Sequence, residues 1–290
     1  MTNFILEYEL SIRLTAFFTI FAAMASWEVA APCRQRRFKR SQRWVGNIGI
    51  VILNSLLLRL LFPAAAVGMA SYTAENGWGL LHAIDLPLWL DILIAVLLMD
   101  MVIYLQHVMV HAVPMLWRLH RVHHADPDYD LTTGARFHPI EIILSMLIKI
   151  TTIAALGPPI VAVVIFEVVL NGMAMFNHGN VRLPAPLDRI LRWVIVTPDM
   201  HRVHHSVEPN ETNSNFGFNL SLWDRLMGTY RQQPRLGQQG MDIGISSLRD
   251  PKMTNRLTGM LRIPFLQDKD VYSINKRPWK RDHEPGDAQP

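Results

Sequence analysis

Half of the 290 residues are apolar and only 18% are charged, which points to a membrane protein rather than to a soluble, highly solvated chain. The net charge of +4 does not signal nucleic-acid binding, because the densest basic run, Arg34 to Arg43, sits between two apolar stretches instead of lining an aromatic surface. The single cysteine, Cys33, excludes both a disulfide framework and a thiolate metal site within one chain.

Crossing a hydrocarbon core of roughly 30 Å takes about 20 mainly apolar residues in a helix. Residues Phe4 to Ala31 form the first such segment. It is too long for a signal peptide's apolar region and has no basic region before it, so it reads as a retained span. The short loop that follows carries Arg34, Arg36, Arg37, Lys39, Arg40 and Arg43, and positive charge in such a loop favours the cytosolic side. Trp44 to about Tyr72 returns across the membrane, and Thr73 to Asp85, with Asn76-Gly77 and Gly79, makes an external loop. Pro87 to about Ala112 crosses inward again and leaves His107 and His111 at its cytosolic end. Val113 to His138 is rich in arginine and histidine and cannot lie in lipid.

Between Pro139 and Asn177, two apolar runs are separated by Gly157-Pro158-Pro159, which predicts a helical hairpin that returns to the side it left. Each arm has about 17 residues, or about 25 Å at 1.5 Å per residue, so it barely spans. His138 and His178 stand at its two feet. An interfacial helix is expected near Pro186 to Val196, and the last 20 or so residues, charged and proline-containing, read as a loose tail. The fold class is therefore all-α: an integral-membrane helical domain of three spans plus a helical hairpin, with a cytosolic histidine-rich metal-binding cap. Residues 1–86 form the N-terminal spans with the basic loop, 87–235 the metal-binding core, and 236–290 a polar C-terminal tail.

Four of the charges inside the apolar segments suggest pairings. Arg59 and Asp100 sit near the middle of the second and third spans, where an unpaired charge costs at least ~2.5 to 3.5 kcal/mol, so a pair across the two helices is expected. The competing reading is that Asp100, seven residues before His107, orients a ligand from behind. Lys149 lies eleven residues after His138 and Glu167 eleven before His178, so antiparallel packing of the hairpin arms brings these two charges to equal depth, where they should pair. The alternative is a polar stripe from Glu167 through Asn171 to His178.

Ten of the twelve histidines lie between positions 107 and 205; His82 and His283 are isolated and read as structural. Three patterns stand out: His107-Val-Met-Val-His111, His120-Arg-Val-His123-His124 and His201-Arg-Val-His204-His205. On a helix, residues three and four apart share a face, so each pattern projects two or three imidazoles together. Neutral imidazole suits iron, zinc, copper and nickel, and eight or more converging nitrogens exceed the needs of one tetrahedral metal. Two metals are implied.

The order HxxxH, HxxHH, HxxHH, with the closing run Thr212-Asn-Ser-Asn-Phe-Gly-Phe-Asn-Leu-Ser-Leu-Trp-Asp-Arg-Leu-Met-Gly-Thr-Tyr230, resembles the fatty acid hydroxylase/sterol desaturase family, and most closely its bacterial members. The resemblance covers about Trp89 to Arg231. It implies a non-haem di-iron centre on the cytosolic side of a small helical membrane domain, in the inner membrane for a bacterial protein, with zinc able to substitute in purified material. By motif position the implied ligands are His107, His111, His120, His123, His124, His201, His204 and His205, with His178 in Phe176-Asn-His-Gly as an additional ligand. His138, in Phe137-His-Pro-Ile-Glu141, matches a motif that some branches lack, and is either a ligand or its supporting neighbour.

Such a centre implies a membrane oxygenase that hydroxylates or desaturates a lipid, taken from the bilayer, with dioxygen and two electrons. The chain has no GxGxxG after a strand, no thiolate cluster and no cytochrome-type haem motif, so a separate electron-transfer protein is implied. The alternatives are a membrane zinc hydrolase and a non-catalytic metal-binding membrane protein. The first would need an HExxH or a glutamate next to a cluster histidine, and the second a polar route along the spans; the sequence offers neither.

Overall fold

The computed structural model describes residues 2–267 and 272–276, so His283 and the end of the expected tail lie outside the described residues. Among the described residues the fold is all-helical, with three isolated β-bridges and no strand. Five stretches are long and apolar enough to cross a membrane. They contain α1 (Thr2–Ala30), α2 (Arg40–Leu61) continuing into α3 (Ala65–Asn76), α4 (Leu88–Ala112), α6 (Pro139–Leu156) and α7 (Ile160–Asn177). Large apolar side chains such as Leu56, Leu60, Trp89 and Leu147 are exposed around them, as lipid-facing helices require. This is a membrane protein.

The second span departs from expectation. Pro63 lacks an N–H and its ring clashes with the preceding turn, so α2 stops at Leu61 and α3 starts afresh at Ala65. α2 packs on α6 and on the short helix Leu257–Arg262, whereas α3 packs on α6 and α7. α7 is the central element: half of its apolar window is buried, against 22% or less in the other spans, and it packs on α1, α3 and α4.

The hairpin forms as predicted. Gly157 caps α6 in the left-handed region at φ +61°, and α7 begins at Ile160. The tip is clasped by Gly79, at φ +108°, whose backbone lies so close to Gly157 that a Cβ on it would stand 2.3 Å from Gly157 N. Lys149 Nζ and Glu167 Oε1 pair at 2.8 Å, and Arg13 Nη1 from α1 stands 3.1 Å from Glu167 Oε2 while also bonding Glu9 at 2.5 Å. The expected Arg59–Asp100 pair does not form. Asp100 Oδ2 instead accepts from the Trp223 indole at 2.8 Å and from Leu220 N at 3.2 Å, tying α4 to the closing run, while Arg59 is exposed. A carboxylate can be satisfied by neutral donors, and these lie in the same chain segment that wraps the histidines.

Beneath the spans, α5 (Pro114–His124), α8 (Ala185–Leu191), α9 (Pro198–His204) and the intervening loops form the cap. It is fastened to α2 by buried charges. Arg43, fully buried, donates to Asp126 through Nε at 2.9 Å and Nη2 at 2.6 Å and to Asp130 through Nη1 at 2.5 Å, and Thr133 and Asn47 complete the network. Charges are tolerated there because each is paired. Residues beyond 236, read from composition as a polar tail, also contribute to packing: Ile245, Met260, Ile263 and Tyr272 are buried against Ile50, Trp117 and Val122.

Candidate metal centre

Nine histidines converge in two buried groups: His107, His111, His120, His124 and His204 in one, and His123, His178, His201 and His205 in the other. Within each group the donor atoms lie within 4.8 Å of one another. α4 delivers His107 and His111 one turn apart, and α5 and α9 each deliver one HxxHH. The two HxxHH patterns divide in opposite ways. From α5, the pair four apart, His120 and His124, joins the first group and His123 the second; from the α9 segment, His201 and His205 join the second group and His204 the first.

The outward nitrogens are held by acceptors. Nδ1–H of His107 donates to Phe216 O at 2.8 Å, that of His204 to Ser214 O at 2.8 Å, and that of His111 to Asn213 Oδ1 at 2.9 Å. The Asn213 orientation follows from its Nδ2 donating to Tyr272 O. His120 Nδ1–H donates to Glu141 Oε1 at 2.6 Å, and His178 Nδ1–H to Ala174 O at 2.8 Å. None of these acceptors can donate through the contacting atom, so the proton sits on Nδ1 and Nε2 is left as a bare base facing inward.

The inward nitrogens approach one another closely. His120 Nε2 lies 3.2 Å from His107 Nε2, and His178 Nε2 lies 3.2 Å from His123 Nε2 and 3.1 Å from His201 Nε2. At His107 and His120, whose tautomers are both fixed, two lone pairs at that separation repel unless a cation lies between them, and two nitrogens each about 2.0–2.1 Å from one first-row metal ion stand roughly 3 Å apart at right angles. His111 Nε2, His124 Nε2, His204 Nε2 and both nitrogens of His205 are buried without a hydrogen-bond partner. Burial first, and then neighbouring imidazoles, hold His123, His124, His201, His204 and His205 far below the usual histidine range; burial takes His178 down to about 3. Neutral imidazoles are what a metal ion requires. The donor set fits metal.

His138 stands outside both groups. It caps α6, its Nδ1 accepting from Ile140 N at 3.3 Å, and its ring also bonds the backbone of Leu261. His82 is exposed at the hairpin tip. Sequence reasoning passed over Glu141 and the run Asn213 to Phe216, although both lie within motifs it quoted; an acidic residue one turn into a helix after His-Pro was the available signal.

A cavity of 340 Å³ opens from His107, His120 and His123 between α1, α2, α4, α6 and α7. Its walls mix apolar side chains (Phe17, Val51, Leu58, Ile103, Leu170) with polar ones (Asn54, Gln106, Ser145, Asn171), and it reaches Arg13, Lys149 and Glu167. Glu167 and Asn171, two members of the alternative stripe, line the cavity whereas His178 does not, and Glu167 holds the expected pair with Lys149.

Helical spans, a histidine-lined cap with two donor groups, and a cavity between the spans define a membrane-embedded metal-binding helical protein. Residues 92–229 match the model of the fatty acid hydroxylase family. It is 29% identical over 193 residues to an ornithine lipid hydroxylase of Rhizobium tropici, covering 66% of this chain and 55% of that protein. It is 30% identical over 195 residues to the alkylglycerol monooxygenase of Xenopus tropicalis (63% of this chain, 41% of that protein), and 25% identical over 146 residues to the cholesterol 25-hydroxylase of Rattus norvegicus (49% and 47%). The chain thus spans about half the length of these relatives. No solved structure matches it significantly.

Proposed function

We propose that this protein is a membrane di-iron oxygenase that places one oxygen atom from dioxygen into a C–H bond of a lipid. One iron would be held by His107, His111, His120, His124 and His204, the other by His123, His178, His201 and His205. The observation that carries this reading is the opening of the two groups of inward-facing nitrogens onto a cavity bounded by membrane spans. Hydroxylation is favoured over desaturation by the activities in the relatives' names.

An iron pair, when bound, supplies the power to activate dioxygen and to take hydrogen from an unactivated carbon. The chain supplies the rest. Glu141, Asn213 and the carbonyls of Ala174, Ser214 and Phe216 fix the imidazole tautomers, and burial keeps bulk water away. The apolar wall receives a hydrocarbon chain from the bilayer, and Asn54, Gln106, Ser145 and Asn171 offer hydrogen bonds to a polar group on it. Helical rise puts Lys149 and Glu167 about 16 Å above the hairpin feet, which sets the depth of the chamber. The balance is R–H + O₂ + 2 e⁻ + 2 H⁺ → R–OH + H₂O. The electrons come from a separate carrier protein, and the positive charge of the basic loop supports a cytosolic side for the centre.

The test is metal analysis of purified protein together with oxygen uptake. Two iron atoms per chain and oxygen uptake that depends on added lipid are expected. Stoichiometric zinc with no uptake after iron reconstitution would refute the reading.

A further inference from the structure

The second histidine group has an aromatic neighbour that leads outward. Tyr129, only 3% exposed, stacks on His178 with ring centroids 5.6 Å apart and planes at 27°, and meets His205 edge-on at 5.1 Å. Its hydroxyl donates to Asn177 O at 2.7 Å, and the Arg202 guanidinium lies over its ring at 5.4 Å. On its other side Tyr129 lines a small surface recess with Arg34, Arg36 and Arg37. The ring therefore touches metal-facing histidines and the rim of a basic recess at once.

The recess is rich in cations. Arg36 and Arg37 are exposed and Arg34 and Arg249 half-buried; Asp242, on Arg37, is the exposed counter-charge. Arg202 lies buried beneath, paired with Asp199 at 2.6 Å. Burial, then the Arg202 and Arg37 charges, hold the Arg34 guanidinium below its ordinary value, and burial followed by Arg37 does the same to Arg249. The chain's own contacts keep this loop in place: Arg34 donates to the carbonyls of Gln238 and Met241, and Arg37 N and Phe38 N to the Asp128 carboxylate. Like charges are thus fixed close together, and an acidic surface would relieve their repulsion.

We propose that the basic recess of Arg34, Arg36 and Arg37 is the docking face for an acidic one-electron carrier protein, and that Tyr129 is the route by which its electrons reach the group of His123, His178, His201 and His205. This rests on the oxygenase reading, which requires two electrons per hydroxylation. The reduced carrier docks twice, losing one electron each time, and the two electrons with two protons take the second oxygen atom of O₂ to water. An anionic lipid headgroup would also neutralise the arginines, but it gives no reason for a phenol ring stacked on His178 directly behind them.

The experiment uses the full chain, iron-loaded, in nanodiscs of neutral phosphatidylcholine, with a plant-type ferredoxin as the acidic carrier. Binding should weaken as salt rises past about 0.15 M, where the Debye length falls to ≈ 8 Å, and Arg36→Glu and Arg37→Glu should each weaken it at least about tenfold. Tyr129→Leu should bind ferredoxin normally but lose the fast phase of metal reduction in stopped flow, and Tyr129→Phe, which keeps the ring, should retain it. Salt-independent binding, or Arg36→Glu that changes retention of phosphatidylglycerol but not of ferredoxin, overturns the docking face. A fast phase surviving in Tyr129→Leu overturns the route. Lipid-dependent oxygen uptake driven by reduced methyl viologen, which needs no docking face, is followed in the same sample. Uptake without ferredoxin binding removes the docking proposal alone, and ferredoxin binding without uptake removes the oxygenase reading.

Discussion

Glu141 distinguishes the two histidine groups. Its carboxylate, 4% exposed on α6, accepts the Nδ1 proton of His120 at 2.6 Å and contacts no histidine of the second group by a hydrogen bond. Glu141→Ala removes the acceptor that fixes the His120 tautomer, so the inward nitrogen no longer stays bare. Loss of such a partner typically weakens metal binding about 10–100-fold, which is about 1.4 to 2.7 kcal/mol at that one site. Glu141→Gln keeps an oxygen acceptor but no charge, and a neutral hydrogen bond is roughly half as strong, so its loss should fall between wild type and alanine. Chelator competition followed by metal analysis reads this directly. Two equally held ions in wild type should become one held normally and one released early in Glu141→Ala, with Gln intermediate. Equal retention of both ions in Glu141→Ala would refute the role assigned to this carboxylate and the division of histidines between the groups.

Gly134→Ala should strike the other group, because its Cβ would stand 2.4 Å from Ala174 O and 2.9 Å from His178 Nδ1 and would wedge apart their hydrogen bond; an overpacking loss of about 1–3 kcal/mol and reduced metal content are expected by thermal melting and metal analysis. Asp126 is held down to about 2 by Arg43 and then Arg136, against the burial that opposes them, so its contribution to stability is present above its unfolded pKa of about 3.9 and is lost as pH falls through about 2. Acid melting followed by circular dichroism should show that loss in wild type, and a flatter profile in Asp126→Asn. Glu167→Leu strands Lys149, while Arg13 keeps Glu9, and should destabilise by about 3–5 kcal/mol, whereas Lys149→Met leaves Glu167 with Arg13 and is milder. The double variant Lys149→Met with Glu167→Leu should melt above Glu167→Leu alone. His138→Gln should keep full metal content, since that ring bonds backbone at Ile140 and Leu261 rather than joining either group.

The helical spans and the hairpin were legible because their signals are local: apolar length fixes a span, and Gly157-Pro158-Pro159 breaks a helix whatever surrounds it. The Lys149–Glu167 pair followed from counting residues along two antiparallel arms, which needs no knowledge beyond the hairpin itself. Asp100 could not be placed in that way. Its partners, Leu220 and Trp223, lie 120 and 123 residues away in a segment of loops and one five-residue helix, and no periodicity fixes where such a segment runs. The burial of Ile245, Met260 and Tyr272 was hidden for the same reason, since sparse apolar residues among polar ones become core only when another element, here α5 with Trp117 and Val122, offers them a surface.

The histidine spacing specified which residues converge but not how they are shared. In HxxHH, the first and third histidines are four residues apart and lie within about 40° of one another around a helix of 3.6 residues per turn, and the middle one departs by about 60° to the other side of the first. That difference is too small for sequence to assign a side chain to one ion or another, yet large enough for two adjacent groups to divide them. What decides is the direction from which α5 and the α9 segment approach: α5 gives its outer pair to the group fed by α4, and α9 gives its outer pair to the group fed by His178 at the end of α7. α5 and the α9 segment therefore contribute to both groups, α4 only to the first and α7 only to the second, so the pair of groups is complete only when all four are in place. The site is a readout of the packed cap, which is why the acceptors that fix its tautomers come from three places in the chain: Glu141 on α6, Ala174 within α7, and Asn213 to Phe216 in the closing run, itself held by Asn213 against Tyr272.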